Sequence, residues 1–432
     1  MGKVKLGLMS LMMVFAVSAM TMVISEKESF AASKRKNWAV WLEGKDCALY
    51  LWNGRSVSKI PSSKNAAFLD INKNGWVVWL EETASKFLKV YLYNGKSVQQ
   101  IVSWDWNKIN IDINSAIKMN DNGWMVWSEL KEHKLKDLTE EETRKVCKEW
   151  GLSKDEIEEW RNGEENAAVA YPSIYLWNGK SVQKLADFAC QPNINNNNWV
   201  VWYQWWHGNK FLHKYIWLWD GNSIRKVVDE NKDKARDVSG LRYKLTGSSK
   251  VRIGIGGYPQ LNDNGWISWT DKNCVYLWDG KLIRLLTAWW GSSMQINNNG
   301  MATWTLTKNE YEYIKKKIRK EYQKYIDKPG VFLWNGKTVQ KLSDDGYYSS
   351  INDKNEIAWT DENGIYFWNG KSVKKIWDKA GVFDFNSNGW IVWSPMYIQG
   401  KNEDVDIFKI YVWDGKRVQK IREKAGNPRI SK

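Results

Sequence analysis

Residues 262–269 read NDNGWISW, and residues 275–286 read VYLWDGKLIRLL. In each stretch an Asn-Gly or Asp-Gly step stands next to short runs in which apolar and polar residues alternate. This combination is the strongest short-range signal of a β-hairpin. Together the two stretches predict a four-stranded antiparallel meander, whose strands we call a, b, c and d in chain order.

Both phrases recur along the chain. The first, Asn-x-Asn-Gly-Trp-x-x-Trp, begins at Asn72, Asn120, Asn195, Asn262, Asn297, Asn352 and Asn386. The second begins at Leu49, Val90, Ile174, Ile216, Val275, Val331, Ile365 and Ile410. A four-stranded unit repeated in this way is the blade of a β-propeller, so the sequence predicts an all-β, eight-bladed fold.

The missing copy of the first phrase is divided between the two ends of the repeat region. Asn37–Trp41 supplies strand b of the first blade, and Pro428–Ser431 matches the strand-a pattern of Pro192–Asn195. We therefore expect the C-terminal strand to pair with the N-terminal blade, which removes the two edges of an open array.

This repeat resembles the bacterial TolB-like and WD40-like propeller repeats, in which a Pro-Asp-Gly turn precedes a strand that ends in an aromatic residue. The resemblance covers roughly residues 37–432, and the Asn-Gly-Trp turn departs from it. It implies the propeller fold and a binding or scaffolding role. The chain is also similar to quinoprotein dehydrogenases in its tryptophan content, but it lacks their Ala-x-Asp-x-x-Thr-Gly-Lys phrase and adjacent cysteines, so we predict no cofactor.

The N-terminal residues have the features of an export signal. Lys3 and Lys5 precede the apolar run Leu6–Ile24, and a small-x-small cleavage site ends at Ala31. We predict a signal peptide over residues 1–31, a periplasmic or extracellular location, and one propeller domain over residues 32–432. The alternative is an uncleaved anchor, since a helix of this length could just span a bilayer at about 1.5 Å per residue.

Strand b carries a tryptophan in every blade, and the chain contains 31 tryptophans in all. The eight are Trp41, Trp79, Trp127, Trp202, Trp269, Trp304, Trp359 and Trp393. Rings of this size at a fixed position predict packing between neighbouring blades rather than a binding function.

Strand a carries a polar residue in every blade, followed by an apolar one. The polar residues are Asp70, Lys118, Asn193, Gln260, Gln295, Ser350, Asp384 and Arg429. Alternation places the two sets on opposite faces, so we expect the polar set to ring a water-filled central channel. An alternative makes Asp70 and Asp384 a catalytic pair for glycan cleavage, although Arg429 between them would keep both ionised.

Three insertions interrupt the repeats, at residues 129–173, 229–257 and 307–328. The first contains two capping boxes, which predict two short helices, and the third reads as one helix ended by Pro329. The second is expected to be irregular, and its Gly254-x-Gly256-Gly257 is too weak a signal for a phosphate loop.

Several aromatic residues outside the repeat positions fall in connecting loops, where they could stack on a ligand or cover the core. These candidate ligand-binding residues are Trp104, Trp106, Trp205, Trp206, His207, Trp289, Trp290 and Trp377. Insertions on one face of a repeat array commonly mark its binding face.

The formal net charge is +15, and much of it recurs as lysine in the c–d turns. On an exported protein this charge suits anionic polymers or lipid headgroups better than nucleic acid, and a solvated rim is the alternative. The four cysteines have no metal-ligand spacing, and His207 and His213 lack a third ligand, so no metal site is predicted.

These observations favour a monomeric, non-enzymatic exported protein that binds another protein or an envelope polysaccharide through the insertion-bearing face. The alternative is a glycan-active hydrolase or lyase that uses the channel carboxylates.

Overall fold

A computed structural model of the chain has turns between its strands at the predicted Asn-Gly and Asp-Gly steps. It describes residues 37–61, 63–83, 87–105, 109–111, 117–150, 153–163, 168–207, 212–239, 248, 250–271, 274–287, 291–317, 320, 323, 327–396 and 409–431. The predicted signal peptide lies outside these residues. Within them no helix is both long enough and apolar enough to cross a membrane.

The chain divides into two compact units. The first contains the described residues up to 83, residues 88–103, and the described residues from 362 onward. Its strands are β1 (Ala39–Glu43), β2 (Ala48–Trp52), β3 (Val57–Lys59), β4 (Ala66–Ile71), β5 (Val77–Glu82), β6 (Phe87–Tyr93), β7 (Val98–Asp105), β29 (Gly364–Trp368), β30 (Val373–Trp377), β31 (Gly381–Phe385), β32 (Ile391–Pro395), β33 (Lys409–Trp413), β34 (Val418–Glu423) and β35 (Ala425–Ile430), where β6 and β7 each reach the second unit at one end.

The second unit holds the remaining strands and the helices. Its strands are β8 (Ile109–Ile111), β9 (Lys118–Met119), β10 (Met125–Lys134), β11 (Ala168–Trp177), β12 (Val182–Asp187), β13 (Ala189–Ile194), β14 (Val200–His207), β15 (Leu212–Trp219), β16 (Ile224–Asp229), β17 (Lys234–Asp237), β18 (Lys250–Arg252), β19 (Gly257–Leu261), β20 (Ile267–Asp271), β21 (Cys274–Trp278), β22 (Ile283–Thr287), β23 (Ser292–Ile296), β24 (Ala302–Leu306), β25 (Gly330–Trp334), β26 (Val339–Ser343), β27 (Tyr348–Ile351) and β28 (Ile357–Asp361). Its helices are α1 (Glu140–Trp150), α2 (Lys154–Gly163) and α3 (Lys308–Lys317), and Leu135–Asp137 forms a 3₁₀ turn.

The strands form eight antiparallel meanders, which makes the fold an all-β, eight-bladed propeller of four-stranded sheets. Two sheets depart from the simple pattern. In the third, both β8 and β9 pair with β10. In the fifth, β17 adds to the outer strand β22 in parallel orientation and β18 pairs with β17. The insertion at 229–257 was expected to be irregular, but part of it extends this sheet.

The C-terminal strand completes the first blade, as predicted. β35 pairs with β1 in antiparallel register, with Ala39 opposite Ile430 and Val40 opposite Arg429. The first sheet therefore has the order β35–β1–β2–β3, in which its inner strand comes from the other end of the chain.

The predicted capping boxes form. Thr139 Oγ1 accepts from Glu142 N at 3.2 Å while Glu142 Oε2 accepts from Thr139 N at 2.9 Å, and Ser153 and Glu156 make the same pair at the start of α2. Thr307 and Glu310 form a third box that the sequence analysis missed. The helix it opens, α3, spans Lys308–Lys317, and most of the remainder of the helix predicted up to residue 328 lies outside the described residues.

The first asparagine of four a–b turns in the second unit bonds in two directions. Asn195 Oδ1 accepts from Asn197 N at 3.1 Å and Trp199 N at 2.9 Å, which closes its own turn. Its Nδ2 donates to Asn262 O of the next blade at 2.9 Å. Asn120, Asn262 and Asn297 repeat this inter-blade bond at 2.9 Å each. We call Asn120, Asn195, Asn262, Asn297 and Asn352 the asparagine ladder.

The turn glycine receives the turn tryptophan of the preceding blade. Gly265 has φ +79°, and a Cβ there would lie 2.6 Å from the Trp199 ring; Gly300 has φ +74°, with Trp266 at 2.1 Å. Glycine is therefore required for its backbone conformation and again for the close approach of the ring. This explains why Gly and Trp occur together in the repeat.

All eight strand-b tryptophans are at most 1% exposed. Trp127, Trp269 and Trp304 stack on an aromatic residue of strand c of their own blade, with ring centroids 5.3–6.1 Å apart. Their prediction as core residues is confirmed.

Two glycine variants separate the need for a left-handed backbone from the need for space beside the tryptophan ring. Gly280, in the c–d turn of the same blade, has φ +92° but no atom within 4 Å of its Cβ position. We expect Gly280→Ala to cost about 1–2 kcal/mol through the left-handed backbone alone. Gly265→Ala should cost about 1–3 kcal/mol more, because the methyl group collides with Trp199. Urea unfolding measures both; equal losses would contradict the packing role of the turn glycine.

Removal of residues 425–431 tests the closure of the first blade. Without β35, strand β1 becomes an unpaired edge and Ala39, Val40 and Trp41 lose buried surface. We expect a clearly lower thermal midpoint and faster amide exchange in β1, with β13–β16 unchanged. An unaltered midpoint would show that β35 contributes little.

Candidate functional site

A cavity of about 510 Å³ lies in the second unit, between α1 and the sheet of β13–β16. We call it the α1 cavity. Its lining residues are Lys145, Lys148, Leu185, Ala186, Asp187, Phe188, Trp202, Gln204, Tyr215, Trp217, Ile224 and Lys226. The wall is thus partly aromatic and carries three lysines and one carboxylate.

The helical insertion is fixed over the sheet by its own apolar cluster. Val146 of α1 and Ile157 of α2 are fully buried and pack with Tyr171 and Phe188. The rings of Tyr171 and Phe188 stack with centroids 4.3 Å apart, and Phe188 adopts φ +55°. A bulky residue rarely takes this conformation, so the surrounding packing must hold it. The lysines of α1 are placed beside the cavity by this cluster.

Asp187 is the only acidic residue of the cavity wall among the described residues. Its Oδ1 accepts from Ser173 Oγ at 2.9 Å and pairs with Lys184 Nζ at 2.8 Å, and Lys145 Nζ lies 3.9 Å from Oδ2. The carboxylate is therefore tied to the edge of β11 and β12, and an ammonium group outside the cavity wall already balances it.

Lys226 belongs to the opposite wall. Its Nζ pairs with Asp229 Oδ2 at 2.8 Å and lies 4.3 Å from the centroid of the Tyr215 ring, a cation–π contact. The Tyr215 ring meets Trp217 edge-on at 6.4 Å. On α1, Lys145 Nζ lies 3.4 Å from Glu141 Oε1 as well as near Asp187, so the excess of positive charge in the cavity rests on its three lysines against one carboxylate.

Of the predicted ligand-binding residues, the structure describes the side chains of two, Trp104 and Trp377. Trp104 is 4% exposed, and its Nε1 donates to Glu129 Oε1 at 2.8 Å, so it is a core residue and not available for stacking on a ligand. Trp377 is half-buried and packs 4.7 Å from the Tyr411 ring and 5.5 Å from that of Trp393. The side chains of Trp106, Trp205, Trp206, His207, Trp289 and Trp290 lie outside the described residues.

The predicted catalytic carboxylates have backbone partners. Asp384 is fully buried; its Oδ1 accepts from Phe385 N at 2.9 Å and its Oδ2 from Ile430 N at 3.3 Å. Asp70 is half-buried and accepts from Ile71 N at 3.0 Å. The Asp384 carboxylate therefore fastens β31 to β35, which is a structural task.

Other members of the predicted polar ring differ in their surroundings. Asn193 Nδ2 donates to Gln260 Oε1 at 3.1 Å, and Gln295 Nε2 lies 3.5 Å from Tyr348 Oη. Ser350 and Arg429 are buried, and Lys118 is half-buried. A single channel lined by all eight residues stays a prediction.

Glu129 is a buried carboxylate that the sequence analysis missed. Its Oε1 accepts from the indole N–H groups of both Trp104 and Trp127 at 2.8 Å. Burial raises its pKa above the usual range, against the lowering effect of these bonds and of Lys131. A Trp-x-Glu spacing, also present at Trp41 and Glu43, places the two side chains on one face of strand b and could have indicated this contact.

Metal binding has no support among the described residues, where no group of three His, Cys, Asp or Glu side chains could hold an ion. In the same part of the chain the four cysteines form no disulfide bond.

No protein-family model matches the sequence, and a search of curated proteins finds no match. Among solved structures, the chain is similar to the β-propeller domain of the Trilobed protease from Pyrococcus furiosus, with 11% identity over 92% of this chain and 91% of that one and a TM-score of 0.42. It is also similar to an acylaminoacyl peptidase, at 11% identity and a TM-score of 0.43, and to a prolyl endopeptidase, at 10% and 0.43. These two matches include 87% and 91% of this chain, but only 56% of the acylaminoacyl peptidase and 57% of the prolyl endopeptidase.

At this level of identity the similarity concerns the fold. The prediction of a non-enzymatic binding or scaffold protein, with a glycan-active enzyme as its alternative, is nevertheless wrong by this comparison, because these three matched chains are peptidases or parts of them. The class that can be stated is an eight-bladed propeller whose structural neighbours include propeller domains of peptidases.

The buried carboxyl group of Glu129 gives a pH-dependent prediction. Because its pKa is raised on folding, the native state keeps a proton that the unfolded chain loses, so stability falls as pH rises through this range. Glu129→Gln keeps an acceptor for the indoles without the charge. Its free energy of unfolding relative to the wild type should therefore increase between about pH 4 and about pH 8.

The exposed Glu132 of the same strand provides the control. Urea titrations of Glu132→Gln show how much of the change any lost charge produces. A Glu129→Gln difference that stays constant with pH would contradict the effect of burial.

Proposed function

We propose that this chain is a hydrolase-associated propeller domain whose α1 cavity holds an anionic group of the substrate. The observation that carries this proposal is the placement of Lys145 and Lys148 beside an aromatic wall in a cavity of about 510 Å³. Small-molecule sites typically enclose about 300–1,000 Å³ and combine apolar walls with a few polar groups.

The chemistry of the wall favours a ligand with a ring and a negative charge. The half-buried Tyr215 and Trp217 offer aromatic surface, while the lysines of α1 supply ammonium groups that attract a carboxylate or a phosphate. Asp187 is shared between Lys184 and Lys145, so one carboxylate stands against the three lysines of the wall. The domain would thus supply recognition, and the associated hydrolase the chemistry.

Binding of three probes to the full chain tests this proposal. Benzoylglycine carries a ring and a carboxylate, phenyl phosphate carries a ring and a phosphate, and benzoylglycinamide lacks the charge. We expect the amide to bind at least about tenfold more weakly than the preferred anion, a difference of about 1.4 kcal/mol. Calorimetric titration measures this, and equal affinity for the amide would contradict an anion site.

Lysine variants locate the binding. Lys148→Ala and Lys145→Ala should each weaken binding of the anions, whereas Lys180→Ala, in an exposed c–d turn, removes the same charge elsewhere and should not. Equal effects of all three would indicate attraction by net charge alone. Hydrolysis of the amide bond of benzoylglycine or benzoylglycinamide by the pure chain would contradict an accessory role.

Export and the TolB-like relationship belong to the same proposal. The basic residues, the apolar run Leu6–Ile24 and the cleavage site that ends at Ala31 support an exported protein, and the repeat supports a TolB-like or WD40-like propeller. N-terminal sequencing of the protein recovered outside the cytoplasm would show whether the chain then begins at residue 32.

A further inference from the structure

Tyr258 is an exposed aromatic residue in an unfavourable backbone conformation. Its side chain is 52% exposed and its φ is +52°. Left-handed backbone is rare for a bulky residue and persists only where the surroundings fix it. Residues in such conformations cluster at binding sites.

The chain before Tyr258 is fixed by three glycines that pack against β20 and β13. A Cβ at Gly254 would lie 1.8 Å from Asp271 Oδ2, and one at Gly256 would lie 2.8 Å from the Thr270 carbonyl oxygen. At Gly257 it would lie 2.2 Å from Gln191 Oε1. The Gly254-x-Gly256-Gly257 motif therefore serves close packing, and it holds Tyr258 in its position.

The left-handed residue itself is a feature of the repeat. Gln191 and Ser293 occupy the same place in neighbouring inner strands, with φ +55° and +53°, where the pairing of strands a and b shifts register. This bulge does not require a tyrosine, since the other two blades carry glutamine and serine. Among these three blades, that of β19 carries the exposed ring.

Amide side chains lie along the backbone next to Tyr258. Gln191 Oε1 accepts from Tyr258 N at 2.6 Å, and Asn193 Nδ2 donates to Gln260 Oε1 at 3.1 Å. The second bond uses one atom of each amide, so the Asn193 Oδ1 and the Gln260 Nε2 offer an acceptor and a donor on the inner strands. None of these four side chains carries a charge.

We infer that Tyr258, Gln191, Asn193 and Gln260 form a binding site for an uncharged, extended peptide segment. Amide side chains present the same donor and acceptor pair as a peptide group and can bond to it in either direction. A tyrosine ring adds a large contact area at a small loss of side-chain entropy. The site differs in chemistry from the α1 cavity, whose lysines select an anion, and does not depend on it.

The test uses the full chain and an acetylated, amidated hexapeptide of alanine and serine as the probe. Tyr258→Gly removes the ring, and glycine adopts φ +52° without strain. We expect this variant to bind the peptide at least about tenfold more weakly while its thermal midpoint is unchanged or higher. Tyr258→Asn, which also tolerates this backbone, should behave in the same way.

Tyr313→Ala is the matched control, because Tyr313 of α3 is 53% exposed. It should bind the peptide as the wild type does. Wild-type affinity in Tyr258→Gly, an equal loss in Tyr313→Ala, or a lowered midpoint in Tyr258→Gly would each overturn the inference. Benzoylglycine binding should be unaffected by Tyr258→Gly, which separates this result from that for the α1 cavity.

Discussion

The side-chain amide of the first a–b turn residue is the interaction on which the repeat depends. In four blades of the second unit its oxygen closes the turn and its nitrogen donates to the backbone of the next blade, as Asn195 does to Asn262 O. A carboxylate could perform the first task but not the second. The first turn residue is asparagine in all seven copies of the phrase, while the equivalent c–d position is asparagine five times and aspartate three times. In the c–d turns both types accept two backbone N–H bonds through Oδ1, as Asn178 and Asp220 show.

The same turn also sets the spacing of neighbouring blades within each unit. The turn tryptophan of one blade lies against the turn glycine of the next, where any side chain would collide. Where Asn198 and Asn355 replace this glycine, their Oδ1 atoms accept from Asn120 and Asn297 of the preceding blade at 2.7 and 2.8 Å. In the first unit Asn37 accepts from Asn388 at 3.0 Å in the same manner, next to the pairing of β35 with β1. With the turns fixed, the opposite strand ends are free to carry insertions.

Features set by local spacing could be predicted from the sequence, including the hairpins, the strand-b tryptophans and two capping boxes, and the repeat pattern also predicted the closure by Pro428–Ser431. Contacts with distant partners that the repeat does not mark could not. Trp104 appeared to be a loop residue because its partner Glu129 is 25 residues away. The pairing of β17 with β22 joins an insertion to the outer strand of the blade, and no periodicity in the sequence of the insertion indicates this pairing. The α1 cavity likewise arises where α1 meets β14, so its lysines looked like an ordinary solvated helix face in the sequence.

The most direct test of this account compares Asn195→Asp with Asn178→Asp by urea unfolding. The first variant keeps the acceptor that closes the turn but loses the donor and places a carboxylate against the carbonyl oxygen of Asn262. We predict a loss of about 1–3 kcal/mol, the cost of leaving a buried polar group without its partner. Asn178→Asp creates a turn already found at Asp220, Asp279 and Asp414 and should change stability by less than about 0.5 kcal/mol. Equal losses in the two variants would contradict the asparagine ladder as the interaction that joins the blades.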